Sequence, residues 1–164
     1  MATPSEPPEP NGLPEDDEFR LDLLTLAEWA MIAADGRVTL GNAVTTAVQL
    51  PAVPAGLPPL YLVASVQAPP AWAGQQAELT VRALDAAGRP ARADPLVRGA
   101  VAFPRRAEDA AAAPRLQFAL QITGMPVQSA GRVRFVLSLA GDELGGVDLE
   151  VRLAPPSTAS RPRP

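Results

Sequence analysis

The side chains that could do chemistry in this sequence are carboxylates and arginines, with few alternatives. There is no His, no Cys and no Lys, and all 14 basic residues are Arg. Without Cys the chain has no disulfide, no thiolate nucleophile and no Cys-held zinc or iron–sulfur centre. Without His it lacks the commonest general base and metal ligand. Without Lys it can form no Schiff base and carries no P-loop lysine. Two carboxylate chemistries remain: a pair that hydrolyses a glycosidic bond, or a calcium site. Asp35, Asp85 and Asp142 each fall in a Gly-containing turn, where Asp serves backbone hydrogen bonding. Asp148 and Glu150 share a strand face near Arg134 and Arg152, the pattern of a solvated ion-pair ladder. No D-x-D-x-D run gathers oxygen ligands for calcium. No cofactor, metal ligand or catalytic residue is therefore expected, and a carboxylate-based hydrolase ranks last among the functions considered.

The elements carrying these residues are strands. In Gly131–Leu153, GRVRFVLSLAGDELGGVDLEVRL, two alternating arms flank turn residues. Val133, Phe135, Leu137 and Leu139 share one face, as do Val147, Leu149, Val151 and Leu153 on the return. Period-two alternation marks a half-buried strand. The apolar residues are odd-numbered in both arms. A two-residue turn at Gly141-Asp142 would therefore set Asp148 against Phe135 and bury a carboxylate. An odd-length loop such as Gly141-Asp142-Glu143, or a bulge at Gly145-Gly146, avoids this. The three-residue loop sets Arg134 opposite Glu150.

Similar strands recur along the chain. Arg20–Ala34 has an uncharged face of Leu21, Leu23, Thr25, Ala27, Trp29 and Met31, and Trp29 reads as a core residue. Asp35-Gly36 then predicts a type I′ hairpin, with a return strand over Gly36–Leu50 interrupted at Gly41-Asn42. Pro51–Pro59 reads as a crossover loop, and Leu60–Gln67, apolar on both faces, as a central strand. Ala77–Leu84, the stretch around Val97–Phe103 and Leu116–Ile122 complete the set, with Pro104–Pro114 as a loop or brief helical turn. About eight short strands with turn signals between them predict an all-β antiparallel sandwich of immunoglobulin-like size, with a closed barrel as the second choice.

At 164 residues the chain suits one domain with tails. Residues 1–19 are acidic and Pro-rich, residues 20–154 hold the strands, and residues 155–164 are Pro/Arg-rich; both tails read as disordered. Net charge is −4, a poor surface for nucleic acid. The N-terminus has no signal-peptide pattern and no long apolar run occurs, so no integral membrane segment is expected and the cytoplasm is the expected location.

Several of these blocks carry a resemblance. LDLLTLAEWAMIAADGRVTLGNA, LPAVPAGLPPLYLVASVQ, LTVRALDAAGRP and GRVRFVLSLAGDELGGVDLEV resemble successive segments of a bacterial family of small β-sandwich proteins of unknown function. Its members run as strand, D-G-K-L-type hairpin, Pro-rich link, L-x-D-P-D-G-type turn and closing hairpin. The likeness spans about residues 21–153. It implies the sandwich fold and a bacterial cytoplasmic setting, and it carries over no catalytic residue. Ala86-Ala87 stand where the family has Pro-Asp, and both tails are additions.

The function expected from these features is a non-catalytic module that binds another protein or assembles with itself. A small-ligand or membrane-surface module is the alternative. Candidate contact residues are Trp72 in PPAWAG, Tyr61, and Arg105 with Arg106, which suit an acidic partner or the chain's own N-terminal tail. Trp72 also reads as a lid over one end of the sandwich. If the apolar face of the last hairpin lies in the core, Phe135→Ala lowers stability by roughly 3–5 kcal/mol. A thermal melt checks this, and a shift of under a degree or two would remove Phe135 from the core.

Overall fold

The computed structural model describes residues 18–34, 36–105 and 113–155. They form two sheets packed face to face. One has the order β2-β1-β5-β8: β2 Val38–Ala43, β1 Arg20–Ile32, β5 Leu60–Gln67 and β8 Arg115–Ile122. The other has the order β3-β11-β10-β6-β7: β3 Ala47–Leu50, β11 Asp142–Leu153, β10 Gly131–Leu139, β6 Gln76–Leu84 and β7 Val97–Ala102. A small third sheet joins β4 Ala55–Gly56 to β9 Pro126–Val127. All pairings are antiparallel except β3 with β11. A 3-10 turn, Pro70–Trp72, follows β5. The tails at 1–17 and 156–164, and residues 106–112 of the expected loop, lie outside the described residues.

The all-β sandwich expected from alternation is what forms, with eleven strands among the described residues in place of about eight. β4 and β9 are two-residue pairings next to prolines, too short to carry a period. The rest of the difference is the stretch 36–50, which divides. Asn42 and Val44 take positive φ, 48° and 62°, and the chain leaves one sheet as β2 and enters the other as β3. The Thr45 N–H donates to Leu26 O and its hydroxyl to Asn42 O, which pins the crossing. The hairpin before it also differs from a type I′ turn. The Gly36 N–H donates to Ala33 O and the Ala33 N–H to Arg37 O, both at 2.9 Å. Gly36, at φ +80°, therefore closes the loop; Asp35 lies outside the described residues.

The core lies between the sheets. Leu26, Leu60, Leu62, Val66 and Phe118 from one sheet meet Leu79, Val81, Phe135, Leu137, Leu149 and Val151 from the other. Phe135 has no exposed surface. The β10–β11 hairpin keeps its parity by a bulge. Ala140 and Gly141, at φ 52° and 96°, make a two-residue turn with Leu139 opposite Asp142. That turn alone would reverse the faces, but the register shifts between Leu137 and Ser138, so Leu144 is left without an opposite residue. Phe135 then pairs with Val147 and Arg134 with Asp148, not with Glu150 as the three-residue loop would have it. Gly145, at φ +158°, follows the bulge where β1 comes close: a Cβ there would lie 2.8 Å from Leu21 Cδ2.

Val44 is exposed (69%) and β-branched in the left-handed region, a conformation that costs an L-residue roughly 1–2 kcal/mol. Asn tolerates it better. Val44→Asn is therefore expected to raise the melting temperature by a few degrees, measured by calorimetry; a fall would mean that the Val44 side chain contributes packing that offsets its backbone.

Candidate functional site

Three surfaces stand out, and the first is the outer face of the four-stranded sheet. Leu23, Thr25, Ala27, Trp29 and Met31 of β1 lie beside Tyr61, Val63 and Ser65 of β5, which lie beside Gln117, Ala119 and Gln121 of β8. No charged side chain stands on this face between Leu23 and Met31. Its charges gather at one end, where Arg20 and Arg115 donate to Asp22 at 2.9 and 2.8 Å and Arg20 also donates to Gln67 Oε1 at 2.7 Å. The β1–β2 hairpin turns back over the face. β1 approaches β8 across β5, and a Cβ on Gly36 would lie 3.9 Å from Gln117 Oε1. Thr25, Ala27, Val63 and Ser65 are buried although they point away from the core. Leu23, Trp29 and Met31 stay open, at 38%, 47% and 50% exposure.

Trp29 corrects the reading that made it a core residue. The β5 partners of β1 end at Ala27 opposite Tyr61, so Trp29 stands past the end of β5 on the outward parity. Its ring lies over Gly41, where a Cβ would come within 3.1 Å of Trp29 Cε3. Trp29 shares parity with Thr25 and Ala27, whereas Leu24 and Leu26 of this strand pack on the core.

The second surface is the end of the sandwich after β5. Phe19, Trp72 and Phe103 form an aromatic cluster with ring centroids 5.0, 5.9 and 6.0 Å apart, and all three pack onto the core. Trp72 is therefore a half-buried lid. Arg105 crosses Gly74 so closely that a Cβ there would meet its side chain. Trp72 and Arg105 thus belong to one end of the molecule. Tyr61 stands near the opposite end of β5, on the uncharged face, and Arg106 lies outside the described residues. Phe19 was not singled out from sequence because it borders the acidic tail.

A third feature is a cleft of about 430 Å³ at the far end of β6, lined by Asp85, Arg89, Met125, Val127, Arg132 and Val133 among others. Its carboxylate is already engaged. Asp85 Oδ1 accepts from the backbone N–H of Ala87 and Arg89, each at 2.9 Å, and Oδ2 accepts from Arg89 Nε at 2.9 Å. The Arg89 backbone bond, then the Arg89 side chain, hold the Asp85 carboxyl below its ordinary 3.8. Of the other carboxylates weighed in the sequence, Asp148 and Glu150 stand in an ion-pair ladder on the outer face of the five-stranded sheet, Asp142 lies opposite Leu139 at the last turn, and Asp35 lies outside the described residues. Arg134 and Arg132 lie 3.5 and 4.0 Å from Asp148, Arg98 lies 3.2 Å from Glu78, and Arg82 lies 3.8 Å from Glu143. Arg152 hydrogen-bonds Glu150 and lowers its pKa. Among the described residues no cluster of acidic side chains is arranged to hold a metal ion, and no buried side-chain polar atom lacks a partner.

These features define an all-β, two-sheet domain whose distinctive surface is a sheet face without charge between Leu23 and Met31. The chain belongs to the family described as "Family of unknown function (DUF6941)", whose model matches residues 22–152. A search of curated proteins gave no match. Among solved structures the chain is similar to the Pseudomonas fluorescens alkylpurine DNA glycosylase AlkC bound to DNA containing an abasic site analog, at 12% identity and a TM-score of 0.47 over 83% of this chain and 31% of that one. It is also similar to the Listeria innocua beta-glucosidase in complex with glucose, at 13% identity and a TM-score of 0.49 over 82% of this chain and 16% of that one. The chain spans less than a third of either enzyme.

The Asp85 turn has a defined pH dependence. Because the folded carboxyl titrates below its ordinary 3.8, its contribution is complete above that pH and is lost as pH falls through the folded value. Asp85→Ala is expected to melt below the parent at pH 7, with the gap narrowing as pH drops below 3.8. Melts of both chains across pH 7 to 2 check this; a gap constant over that range would mean that the carboxylate charge contributes nothing.

Proposed function

We propose that the protein is a non-catalytic β-sandwich module that binds another protein or itself, in the bacterial cytoplasmic setting that the sequence resemblance implies. The observation supporting this is the contrast between its two outer faces. The five-stranded sheet carries interspersed arginines and carboxylates, the pattern of a solvated surface. The four-stranded sheet presents Leu23, Trp29, Met31 and Tyr61 with no charge among them. Interface cores are depleted in charge and enriched in Trp, Tyr and Met, and truncation of central aromatics there has the largest cost. Of the sequence-derived contacts, Tyr61 joins this face. Trp72 serves the fold, and Arg105 supplies a charge at the rim of its own end.

The test is binding by the full chain and by Trp29→Glu/Met31→Glu. Both residues are half exposed, so the double variant is expected to keep its fold by circular dichroism. It is expected to lose at least tenfold in affinity for a protein bound on this face, which is about 1.4 kcal/mol, measured by pull-down. Unchanged binding would remove this face from the function.

The cleft at Asp85 and Arg89 supports the second reading, a small-ligand module, because Met125, Val127 and Val133 give it an apolar wall. A metabolite that raises the melting temperature of the wild type, and does so less for Val127→Arg, would favour it.

A further inference from the structure

We propose that the open edge of β8 is an interface with a second copy of this chain, the two β8 strands pairing antiparallel across a two-fold axis into one continuous eight-stranded sheet. This rests on the reading of the protein as a binding module and places self-association on the β8 edge, apart from the face that carries Trp29 and Met31.

The four edge strands differ in how well they are protected against pairing. β3 has four residues and runs into Pro51, and β2 contains Gly41 and the left-handed Asn42. β7 contains Gly99 and is bracketed by Pro95 and Pro104. β8 has eight residues, RLQFALQI, without Gly, Pro or a bulge, and every one is in register with β5. Its single charge, Arg115, is at one end and engaged by Asp22. Native edges are blunted by charge, proline, bulges or brevity, and β8 has none of these along its middle. Among the described residues no strand pairs its far side and no further backbone hydrogen bond uses it.

A second copy fits because the sequence of β8 is complementary to its own reversal. Residues directly opposite across an antiparallel pair share a face, so an axis at Ala119 sets Ala119 against Ala119 of the other copy. Gln117 then meets Gln121, and the side-chain amides can donate to each other in both directions. On the inner face Phe118 meets Leu120 and Leu116 meets Ile122, extending the apolar layer. Arg115 falls beyond the paired stretch, against Thr123, so no like charges meet. The outer faces of the two copies, with their exposed Trp29 and Met31, would then lie on one side of one sheet. A two-fold interface requires this kind of self-match.

The experiment is analytical ultracentrifugation of the full chain beside Gln117→Lys/Gln121→Lys and Gln117→Lys/Gln121→Glu. The Ala119 register places Lys against Lys in the first variant and Lys against Glu in the second. The wild type is expected at twice its 17.1 kDa and the Lys/Lys chain as a folded monomer, with the dissociation constant raised at least tenfold. The Lys/Glu chain is expected to return to dimer, and amide exchange of β8 to be slower in the two dimers than in the monomer. A monomeric wild type, a dimeric Lys/Lys chain or a monomeric Lys/Glu chain would each overturn the proposal. A monomeric wild type that binds another protein, with loss in Trp29→Glu/Met31→Glu, would overturn only the self-pairing; a chain that does neither would end the binding-module reading as well.

Discussion

Phe135 has no exposed surface, and one unpaired residue on the neighbouring strand keeps it there. The turn at Ala140-Gly141 joins β10 to β11 two residues apart, which by itself would turn Val147, Leu149 and Val151 outward. The bulge at Leu144 restores the face, and Phe135, Leu137, Leu149 and Val151 enter the core together. A one-residue slip reverses every side chain of a strand. The five-stranded sheet, the core beneath it and the ion pairs above it therefore all depend on that one local insertion. Beside it Gly145 lies against the end of the Leu21 side chain from β1 of the opposite sheet.

With the core fixed, the remaining surface divides by sheet. One outer face carries Arg–carboxylate pairs, each worth at most about 1 kcal/mol, whose effect is solubility and register more than stability. The other carries neutral and apolar side chains, part of them covered by the molecule's own β1–β2 hairpin. Val63 and Ala27 are buried although they point away from the core. Exposure of Trp29 and Met31 follows from their place beyond the end of β5. A domain with a sparse aromatic content thus holds two of its largest apolar side chains outside its core, half exposed.

Much of this was legible in advance. Alternation located the long strands, because a half-buried strand must show a period of two. The need for odd parity in both arms of the last hairpin called for an odd loop or a bulge; a bulge is present, one residue before Gly145. Trp72 offered two readings, and the aromatic cluster with Phe19 and Phe103 makes it a lid. The carboxylates in turns and on the ladder were readable from their neighbours, and Asp85 holds its own turn as expected of that residue type. Trp29 was misread because its strand is apolar on both parities over Thr25–Ala27, so alternation could not say which side met the core.

The sequence by itself determined the strand periodicity, the turn chemistry and the poverty of catalytic side chains, because these depend on residue type and spacing within a few positions. Only the tertiary structure decided how charge is divided between the outer faces, where the long strand outruns its neighbour, how the stretch after Gly36 divides between sheets and which strands stand at the sheet edges. Those are relations between segments far apart in the chain. They are set by packing one sheet on the other and by how far each strand extends past its partner, and no local pattern records either.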